Sequence, residues 1–483
     1  MSSARLPHLV EPGTLAYALG ERFEAAGHEL WLVGGRVRDA LMGRDRGDVE
    51  IDFATSAKPT DVLDLLRPLA HQMWLQGVRF GTVGASVEHV HTEVTTYREE
   101  WYPPDSRKPE VHFARDITSD LSRRDFTVNA IAVRTPSAEV LDPFNGIRDL
   151  NRRVLRTPRS PEQAFTDDPL RMLRACRFAS VLDFDVADEV VAAIAAMRDR
   201  LTIVSRERVR DELTKLLVGQ TPGRGLQLLV STGLADEVIP ELPALAMEQD
   251  PIHHHKDVLK HTIAVVSKVP PDEVTRLAAL LHDVGKPATR AFGPEGVTFH
   301  HHEVVGARMA TERLKELRYP SKVVEAVRTL VYLHLRFHTY RLGWTDSAVR
   351  RYVRDAGDVL DELNALVRAD CTTRNRAKAR ELSERMDSLE RRIAELAERE
   401  ELSKMAPPLD GHDVMAFFDL KPSRVVGEAL AFLTELRIER GPMERKAAFT
   451  DLERWGSERG LEPARTIEEA MTIADAARAE ADQ

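Results

Sequence analysis

Apolar and polar positions in the first 150 residues follow the patterns of short strands set between helices. An apolar run at 30–33 has the length of a buried strand, and residues 48–53 alternate between acidic and apolar side chains, as a half-buried strand does. Residues 80–99 are rich in β-branched side chains and predict two further strands. Helical spacing predicts helices at 14–27 and 37–42. We therefore expect a mixed α/β unit here.

Helical spacing dominates the rest of the chain. The stretch TDDPLRMLRACRFAS at 166–180 predicts a helix, and residues 203–217 place apolar side chains on one helix face. Residues 376–406 are highly charged with leucines at helical spacing, which predicts a long exposed linker helix. In the first part, the proline-rich and charged residues 101–113 predict a loop. The pattern as a whole predicts an α+β chain.

Length and charge set limits on this picture. The 483 residues suggest about three domains. The chain has 68 Lys and Arg against 78 Asp and Glu, and the net charge of −10 argues against a surface coated for nonspecific nucleic-acid binding. Residues 148–177 nevertheless hold eight Arg against four acidic residues, so a local basic patch is possible.

The composition gives no sign of a membrane or secreted protein. No apolar run approaches the roughly 18 residues that a membrane span requires, and the N-terminus lacks the apolar core of a signal peptide. Two cysteines, Cys176 and Cys371, are too few for a disulfide framework or a zinc quartet, and we expect both to be reduced. The expected location is the cytoplasm.

The first candidate chemistry lies in the alternating stretch. A strand would present Asp48, Glu50 and Asp52 on one face, and carboxylates so placed repel one another unless a cation lies between them. Mg²⁺ suits this role because it takes few carboxylates and keeps positions for phosphate and water. Gly34 and Gly35 come shortly before, and glycine lets backbone N–H groups approach a ligand. A solvated edge strand is the simpler alternative, but the combination favours a phosphate and metal site.

Three stretches together resemble a known family. GGRVRDALMG at 34–43, RRDFTVNA at 123–130 and DDPLRMLR at 167–174 are similar to motifs of the tRNA nucleotidyltransferases, which are the CCA-adding enzymes and their poly(A) polymerase relatives in the DNA-polymerase-beta-like superfamily. The resemblance implies a small polymerase-beta-like nucleotidyltransferase head with a mixed sheet, followed by all-helical neck, HD and C-terminal body domains. The implied boundaries are 1–150 for the head, 151–245 for the neck with its nucleotide-template helix, 246–375 for the HD metal-binding domain and 376–483 for the linker helix and tRNA-binding body.

The family carries an Asp-x-Asp pair in which this chain has one glutamate. Counting forward from Arg38 makes the pair Asp48 and Glu50, whereas counting back from FATSAKP makes it Glu50 and Asp52. The text after Asp52 keeps the family wording, so Glu50 and Asp52 are the favoured catalytic residues and Mg²⁺ ligands of the head. Glu93, in EVTTYR, is the candidate third catalytic carboxylate, with a solvated strand residue as the alternative.

The same resemblance assigns nucleotide contacts. Arg124 would bind nucleotide phosphate, for which the planar guanidinium offers bidentate contacts. Asp168 and Arg171 would act as an amino-acid template, because a carboxylate accepts from the exocyclic amine of C or A and a guanidinium donates to a ring acceptor. Asp105 and Arg107 resemble a segment that helps to switch between nucleotides. The other implied nucleotide contacts are Gly35, Arg38, Arg174 and Arg177.

A second constellation contains an adjacent His-Asp pair in ALLHDVGKP, at 279–287. Its order along the chain resembles the HD phosphohydrolases, and a mixture of His and carboxylate suits a divalent metal. Metal-bound water would then attack a phosphate ester. His302 and His334 could hold a second metal. The implied ligands of the first metal, whose identity the sequence leaves open, are His261, His282, Asp283 and Asp370.

The expected activity is that of a class II CCA-adding enzyme. It would transfer CMP and AMP from CTP and ATP to the tRNA 3′ end and release pyrophosphate, with two Mg²⁺ ions at the head. A poly(A) polymerase or an A-adding enzyme is the alternative within the family. An HD-domain phosphohydrolase with a degenerate transferase head is the rival from another class, and a noncatalytic RNA-binding protein is a third reading.

Overall fold

The computed structural model describes most of the chain and divides it into two compact units. The first unit holds the residues up to 280 together with 290–298 and 311–324, and the second holds the remainder. Asp48, Asp105 and Arg107 lie outside the described residues, and the domain boundaries given above stay predictions. The described residues are 6–44, 50–101, 110–114, 116–247, 257–293, 296–340, 344–371, 376–400 and 407–481.

The strands fall mainly in the first unit. In chain order they are β1 (Leu30–Val33), β2 (Glu50–Thr55), β3 (Ala70–Trp74), β4 (Thr82–Val87), β5 (Val90–Thr96), β6 (Arg98–Trp101), β7 (Glu110–Phe113), β8 (Ala132–Thr135), β9 (Val140–Leu141), β10 (Val154–Leu155), β11 (Asp185–Val186), β12 (Ala291–Gly293) and β13 (Gly296–Thr298). Seven of them form one mixed sheet in the order β3–β4–β5–β2–β1–β8–β9. The predicted α+β class with a mixed-sheet head is confirmed.

Helices make up most of the remaining described chain. In order they are α1 (Leu15–Ala25), α2 (Gly35–Leu41), α3 (Pro59–Leu66), α4 (Ile117–Ser122), α5 (Gly146–Arg152), α6 (Pro161–Asp167), α7 (Leu170–Leu182), α8 (Asp188–Met197), α9 (Arg206–Leu217), α10 (Pro222–Ser231), α11 (Ala235–Val238), α12 (Val258–Lys268), α13 (Glu273–Leu281), α14 (Lys286–Thr289), α15 (His302–Glu316), α16 (Ser321–Leu333), α17 (Asp346–Ala356), α18 (Leu360–Asp370), α19 (Arg376–Glu400), α20 (Gly411–Phe418), α21 (Arg424–Arg440), α22 (Arg445–Ser457) and α23 (Ile467–Ala481). Among the described residues, no helix combines the length and the apolarity that crossing a membrane requires.

The sheet is organised around β1, whose four apolar residues are all buried. β1 pairs antiparallel with β2 on one side and with β8 on the other, and β2 pairs parallel with β5. The alternation predicted for β2 is present, because Ile51 and Phe53 are buried whereas Asp52 is only partly buried and Glu50 is exposed. The acidic residues therefore face away from the apolar packing that fixes the strand.

Local composition was misleading at three places. Helix α2 begins at Gly35, two residues before the predicted start, because Gly34 has a φ of +77° and turns the chain from β1 directly into the helix. The predicted loop at 101–113 is wrong at its ends, since β7 pairs antiparallel with β6 across the intervening residues. The edge strand β3 was not predicted, because its sequence AHQMW has no regular alternation and depends on pairing with β4.

Helix α7 is the centre of the helical part of the first unit and packs against α9 and α10. A Cβ atom at Gly225 of α10 would lie 2.6 Å from the carbonyl oxygen of Cys176. The close approach of the α7 and α10 backbones therefore requires glycine at this position. Cys176 is buried in this contact, and both Cys176 and Cys371 are free thiols. This packing fixes the position of α7.

In the second unit the predicted linker helix is present as α19, but it is not fully exposed. Leu389 and Leu396 are buried along one face. At its end the Glu400 carboxylate accepts hydrogen bonds from Arg350 Nε at 2.7 Å and Nη2 at 2.9 Å, and Arg350 Nη1 donates to the Ile438 carbonyl oxygen at 2.9 Å. This buried guanidinium joins α17, α19 and α21.

Candidate active site

A cleft of about 510 Å³ opens in the first unit beside strands β2 and β5 and helices α2 and α7. Residues that are far apart in the sequence meet in its wall. Glu50, by contrast, is exposed at the start of β2 and is not part of the wall. The predicted site residues that line the cleft are Gly35, Arg38, Asp52, Glu93, Arg124, Asp168, Arg171, Arg174 and Arg177.

The carboxylate side of the cleft is set by strand pairing. The parallel register of β2 and β5 puts Asp52 opposite Glu93. Gly34 lies against the same carboxylate, since a Cβ atom there would be 3.3 Å from Asp52 Oδ2 and 3.4 Å from Arg124 Nη1. Because Gly34 also has a positive φ, a larger residue would be strained as well as crowded. Strand register and one glycine therefore bring two carboxylates and one guanidinium together.

The Asp52 carboxyl resists ionisation in this setting. Its pKa is raised to about 6, chiefly by burial and further by the carboxylates of Glu93 and Glu50, against the opposing charge of Arg124. Oxygen donors that are partly buried and mutually repulsive are those that a hard divalent cation stabilises. The residues present therefore fit Mg²⁺, with Asp52 and Glu93 in the cleft and Glu50 at its edge.

The opposite side of the cleft is strongly cationic and is held in place by two buried acids. Arg174 donates to Asp125 Oδ2 from Nε at 2.9 Å and from Nη2 at 2.5 Å, while Arg177 Nε lies 3.0 Å from Glu212 Oε2. Burial alone would raise the pKa of Asp125, but Arg174 and the Asn129 amide hold it well below its usual range. These contacts with Asp125 and Glu212 fix the positions of the two guanidiniums in the cleft wall.

Asn129 links this network to helix α2. Its Nδ2 donates to Asp125 Oδ1 at 2.9 Å, and its Oδ1 accepts from Arg38 Nη1 at 2.8 Å. Arg38 is buried in this chain of hydrogen bonds. Asn129 and Asp125 therefore connect the RRDFT segment at 123–127 to α2 through hydrogen bonds.

The predicted template residues have partners that the sequence did not indicate. Asp168 Oδ1 accepts from the Leu170 backbone N–H at 3.1 Å, which caps α7, and Asp168 Oδ2 accepts from Arg208 Nη2 at 3.0 Å. Arg171 donates from Nη1 to the Ala164 carbonyl oxygen at 3.2 Å and from Nη2 to the Arg123 carbonyl oxygen. The two side chains are thus anchored separately within the same cleft.

Two cleft residues are not among the predicted site residues. Arg208 lies in a charged stretch of sequence that most simply predicts a solvent-exposed helix face. It contacts Asp168 because α9 packs against α7. Phe178 lies under three guanidiniums, with its ring centroid 4.0 Å from the Arg177 Cζ, 5.4 Å from that of Arg38 and 5.5 Å from that of Arg174. An aromatic residue at helical spacing gives no signal that separates this role from core packing.

The second unit contains a separate buried cluster. Asp283 Oδ1 lies 3.5 Å from His302 Nε2, and Asp283 Oδ2 lies 3.2 Å from His282 Nε2 and 2.7 Å from Lys286 Nζ. Ligand atoms of Asp283, His302 and His334 all lie within 4.8 Å of one another. Burial alone would raise the pKa of Asp283, but His282 and Lys286 hold it well below its usual range.

The histidine tautomers suit a metal ion. His302 Nδ1 is 2.8 Å from the Phe299 carbonyl oxygen and His334 Nδ1 is 2.6 Å from that of Val331, so each Nδ1 donates to a backbone carbonyl and Nε2 is the ring nitrogen left to face a metal ion. Burial lowers the pKa of His334 to about 3, which keeps that ring neutral. A buried carboxylate with two such imidazoles is a donor set for a divalent metal.

Asp370 and His261 are the other two predicted ligands. Asp370 Oδ1 lies 3.7 Å from His282 Nε2. His261 belongs to α12 in the first unit, and its role stays a prediction. Gly285 allows the close approach of α15, because a Cβ atom there would lie 2.2 Å from the His302 carbonyl oxygen.

Comparison with known families gives three matches along the chain. Residues 30–156 match the poly A polymerase head domain, residues 183–245 match the probable RNA and SrmB-binding site of polymerase A, and residues 252–403 match the HD domain. An A-adding tRNA nucleotidyltransferase of Deinococcus radiodurans is 37% identical over 361 residues, which are 71% of this chain and 80% of that protein. A CCA-adding enzyme of Anoxybacillus flavithermus is 32% identical over 341 residues, 70% of this chain and 74% of that protein.

Solved structures agree with these matches. The crystal structure of the Bacillus stearothermophilus CCA-adding enzyme in complex with CTP is similar with a TM-score of 0.66 and 26% identity, over 92% of this chain and 98% of that one. The Thermotoga maritima CCA-adding enzyme complexed with tRNA has a TM-score of 0.58 at 17% identity, over 94% and 99%, which is a likeness of fold.

We expect Asp52→Asn to stabilise the metal-free protein at about pH 8, since the wild type must keep a partly buried carboxylate ionised there. The pKa of about 6 lies above the ordinary value near 4, so wild-type stability is lost as pH rises between these values. The free energy of unfolding of Asp52→Asn should equal that of the wild type below about pH 4. At high pH it should exceed the wild-type value by at most about 3 kcal/mol. Thermal melting of both proteins below about pH 4 and at about pH 8, with and without Mg²⁺, measures this difference in stability.

In the same melts, Mg²⁺ should stabilise the wild type more than the variant. Asp64→Asn is the matched control, because Asp64 is an exposed carboxylate that pairs only with Arg67 at 3.2 Å among the described residues. An advantage of Asp52→Asn that is equal at both pH values would contradict the proposed strain on this carboxylate.

Proposed function

The chain belongs to the family of tRNA nucleotidyltransferases that includes the CCA-adding enzymes, and from this premise we propose that it adds CMP and AMP, from CTP and ATP, to the 3′ end of tRNA and releases pyrophosphate. The observation that carries the proposal is the pairing of Asp52 with Glu93 in a cleft that also holds three arginines, with Arg124 beside Asp52 and with Arg174 and Arg177 on the opposite side. A carboxylate pair facing a cationic wall suits the transfer of a nucleotidyl group from a triphosphate. The named relatives, which add A or CCA to tRNA, support the choice of substrate.

In the proposed reaction the terminal 3′-hydroxyl of tRNA attacks the α-phosphorus of the nucleotide. A bond forms between that oxygen and phosphorus and the hydroxyl proton passes to water. The bond from the α-phosphorus to the oxygen that bridges to the β-phosphate breaks, and pyrophosphate leaves. Arg124, Arg174 and Arg177 would neutralise the triphosphate and the departing pyrophosphate, for which fixed guanidiniums are suited. Two Mg²⁺ ions, bound by Asp52 and Glu93 with Glu50 beside them, would stabilise the attacking and leaving oxygens.

Nucleotide choice is proposed to depend on Asp168 and Arg171. An ionised carboxylate has about four lone-pair positions, and Arg208 and the Leu170 N–H use two of those on Asp168. A guanidinium has about five N–H donors, of which Arg171 uses one for each of two backbone carbonyls. Both groups therefore retain capacity to pair with C or A, and Arg208 would hold the Asp168 carboxylate in position.

Addition of AMP alone is the second candidate. It is favoured by the relative of 37% identity, which is an A-adding tRNA nucleotidyltransferase. The cleft does not distinguish CCA addition from addition of AMP alone, because cytosine and adenine present the same donor and acceptor to an Asp–Arg pair. Poly(A) addition differs from both because it has no fixed stopping point.

Nucleotide incorporation into tRNAs ending before C74, before C75 and before A76 tests the function. With CTP alone we expect extension of the two shorter tRNAs. With ATP alone we expect extension of the tRNA that lacks only A76. With both nucleotides we expect a complete CCA end and no further growth. Extension only from the tRNA lacking A76 would assign A-adding activity. Continued growth with ATP would assign poly(A) addition, and failure to extend any of them would overturn the proposal.

Asp168→Ala separates template pairing from capping. Loss of a template acceptor should lower the use of CTP and ATP and narrow the gap to UTP and GTP, because each unpaired buried polar group costs about 1–3 kcal/mol. If Asp168 only caps α7, the variant should lose about 1 kcal/mol of stability and keep the ratio of CTP to UTP incorporation. Incorporation ratios measured beside melting curves distinguish the two, and an unchanged ratio rules out the template role.

The Asp283 cluster is proposed to bind a divalent metal, with His282, Asp370 and His261 among the predicted ligands. The observation behind this is the pair of imidazoles at His302 and His334, each anchored through Nδ1 to a backbone carbonyl and placed beside one buried carboxylate. A metal there would supply activated water for hydrolysis of a phosphate ester. This is also the basis of the rival reading as an HD phosphohydrolase.

We expect purified protein to contain a divalent metal that Asp283→Asn removes. The Asp283 carboxylate lies next to both imidazoles, so a metal bound there should depend on it. A chelator should lower the melting temperature of the wild type but not that of Asp283→Asn. His301→Ala is the matched control, because His301 is 82% exposed beside the cluster. Metal content by elemental analysis decides, and equal metal in Asp283→Asn and wild type would refute the site.

A further inference from the structure

Three arginines of the cleft have the same aromatic ring as a neighbour. The centroid of the Phe178 ring lies 4.0 Å from Cζ of Arg177, 5.4 Å from that of Arg38 and 5.5 Å from that of Arg174. Guanidiniums grouped in this way repel one another, and their charges must be compensated. Carboxylates supply part of this compensation, and the negative face of an aromatic ring is a second source.

Two of the three guanidiniums are anchored by hydrogen bonds. Arg174 donates to the Asp125 carboxylate from both Nε and Nη2. Arg38 donates from Nε to Asp39 at 2.7 Å and from Nη1 to Asn129 at 2.8 Å. Because hydrogen bonds are directional, these contacts define the plane of each guanidinium as well as its position.

Arg177 is held differently from the other two. Its Nε lies 3.0 Å from Glu212 Oε2, but the two atoms lack the alignment of a hydrogen bond. Within the part of the chain that the structure describes, the Arg177 side chain donates no hydrogen bond at all. The ion pair sets the distance between the two charges and leaves the plane of the guanidinium undefined. The remaining contact that can define this plane is the face of the Phe178 ring, to which Arg177 is the closest of the three.

The charge of Arg177 is in an unfavourable setting. Burial lowers the pKa of Arg177 to about 10, and the charges of Arg174 and Arg38 act in the same direction. The carboxylates of Glu212 and Asp125 oppose this shift. A ring face next to such a partly desolvated cation gives a stronger attraction than it would give at the protein surface.

The Phe178 ring is itself fixed. Phe178 is buried, and its ring meets that of Phe126 edge to face, with a centroid distance of 5.7 Å and an angle of 85° between the planes. Phe126 is fully buried. The Phe178 ring therefore presents a rigid surface, and both it and Arg177 line the cleft.

We propose that Phe178 is a positioning residue, whose ring face orients the Arg177 guanidinium toward the triphosphate of the incoming nucleotide. Because no hydrogen bond to the described chain uses its N–H groups, Arg177 can offer all of them to phosphate oxygens. A guanidinium that is oriented in advance loses less freedom when the nucleotide binds, and affinity is therefore higher. The proposal rests on the proposed function in taking a nucleoside triphosphate as the ligand of the cleft.

The test replaces Phe178 by phenylalanines that carry one, two or three fluorine atoms on the ring, introduced by stop-codon suppression. Fluorine withdraws charge from the ring face and changes its shape little, so the cation–π contact weakens in steps while the packing is kept. Phe184 is the matched control, because it is fully buried and none of the described guanidiniums lies over its ring. The dissociation constant for ATP with Mg²⁺ is measured by calorimetry in the absence of tRNA, and melting curves check folding.

The dissociation constant for ATP should rise with each fluorine on Phe178 and reach about five times the wild-type value with three. The same series at Phe184 should leave it unchanged. In an Arg177→Gln background the guanidinium is absent, so fluorination of Phe178 should have no further effect on ATP binding. A ring that only fills space would change the melting temperature at most and leave the affinity for ATP as it is.

Equal affinity for ATP across the Phe178 series would overturn the proposal, as would a wild type that binds no ATP. An effect that persists in the Arg177→Gln background would also overturn it and would assign the ring to Arg38 or Arg174. If ATP binding depends on the Phe178 ring as expected but the wild type extends no tRNA, the proposed function fails while the positioning role stands. If the wild type extends tRNA and fluorination has no effect, the positioning role alone fails.

Discussion

The parallel pairing of β2 with β5 is the constraint on which the proposed chemistry depends. It sets Asp52 opposite Glu93, and the apolar residues on the other face of β2 fix the strand by burial. Ionising Asp52 in this position is unfavourable, as its raised pKa of about 6 shows. The core thus fixes two carboxylates side by side on neighbouring strands, and a divalent cation would relieve the repulsion between them.

The rest of the cleft balances this negative centre with fixed positive charge. Buried Asp125 and Glu212 hold Arg174 and Arg177 on α7, whose own position is fixed by close packing on α10. Arginines held by buried acids keep their geometry while retaining donors for phosphate. A chain that is acidic overall can in this way present a cationic wall to a triphosphate.

Sequence patterns predicted the elements that local rules govern. The apolar run of β1, the alternation of β2 and the motif residues Arg124 and Arg174 could all be placed before the structure was known. Features that depend on tertiary contacts could not. Arg208 reaches Asp168 only because α9 packs on α7, and β3 and β7 exist through pairing with β4 and β6. The orientations of the His302 and His334 rings depend on hydrogen bonds to the Phe299 and Val331 carbonyl oxygens.

The central claim is that the head carboxylates, and not the Asp283 cluster of the second unit, carry nucleotide addition. Single-turnover incorporation into tRNA by Asp52→Ala and by His334→Ala tests it most directly, with tRNA affinity measured for both. We expect Asp52→Ala to abolish incorporation while binding tRNA within a few-fold of wild type, since backbone contacts elsewhere supply most of the affinity. We expect His334→Ala to retain incorporation. Near-normal addition by Asp52→Ala, or its loss in a folded His334→Ala protein, would contradict the claim.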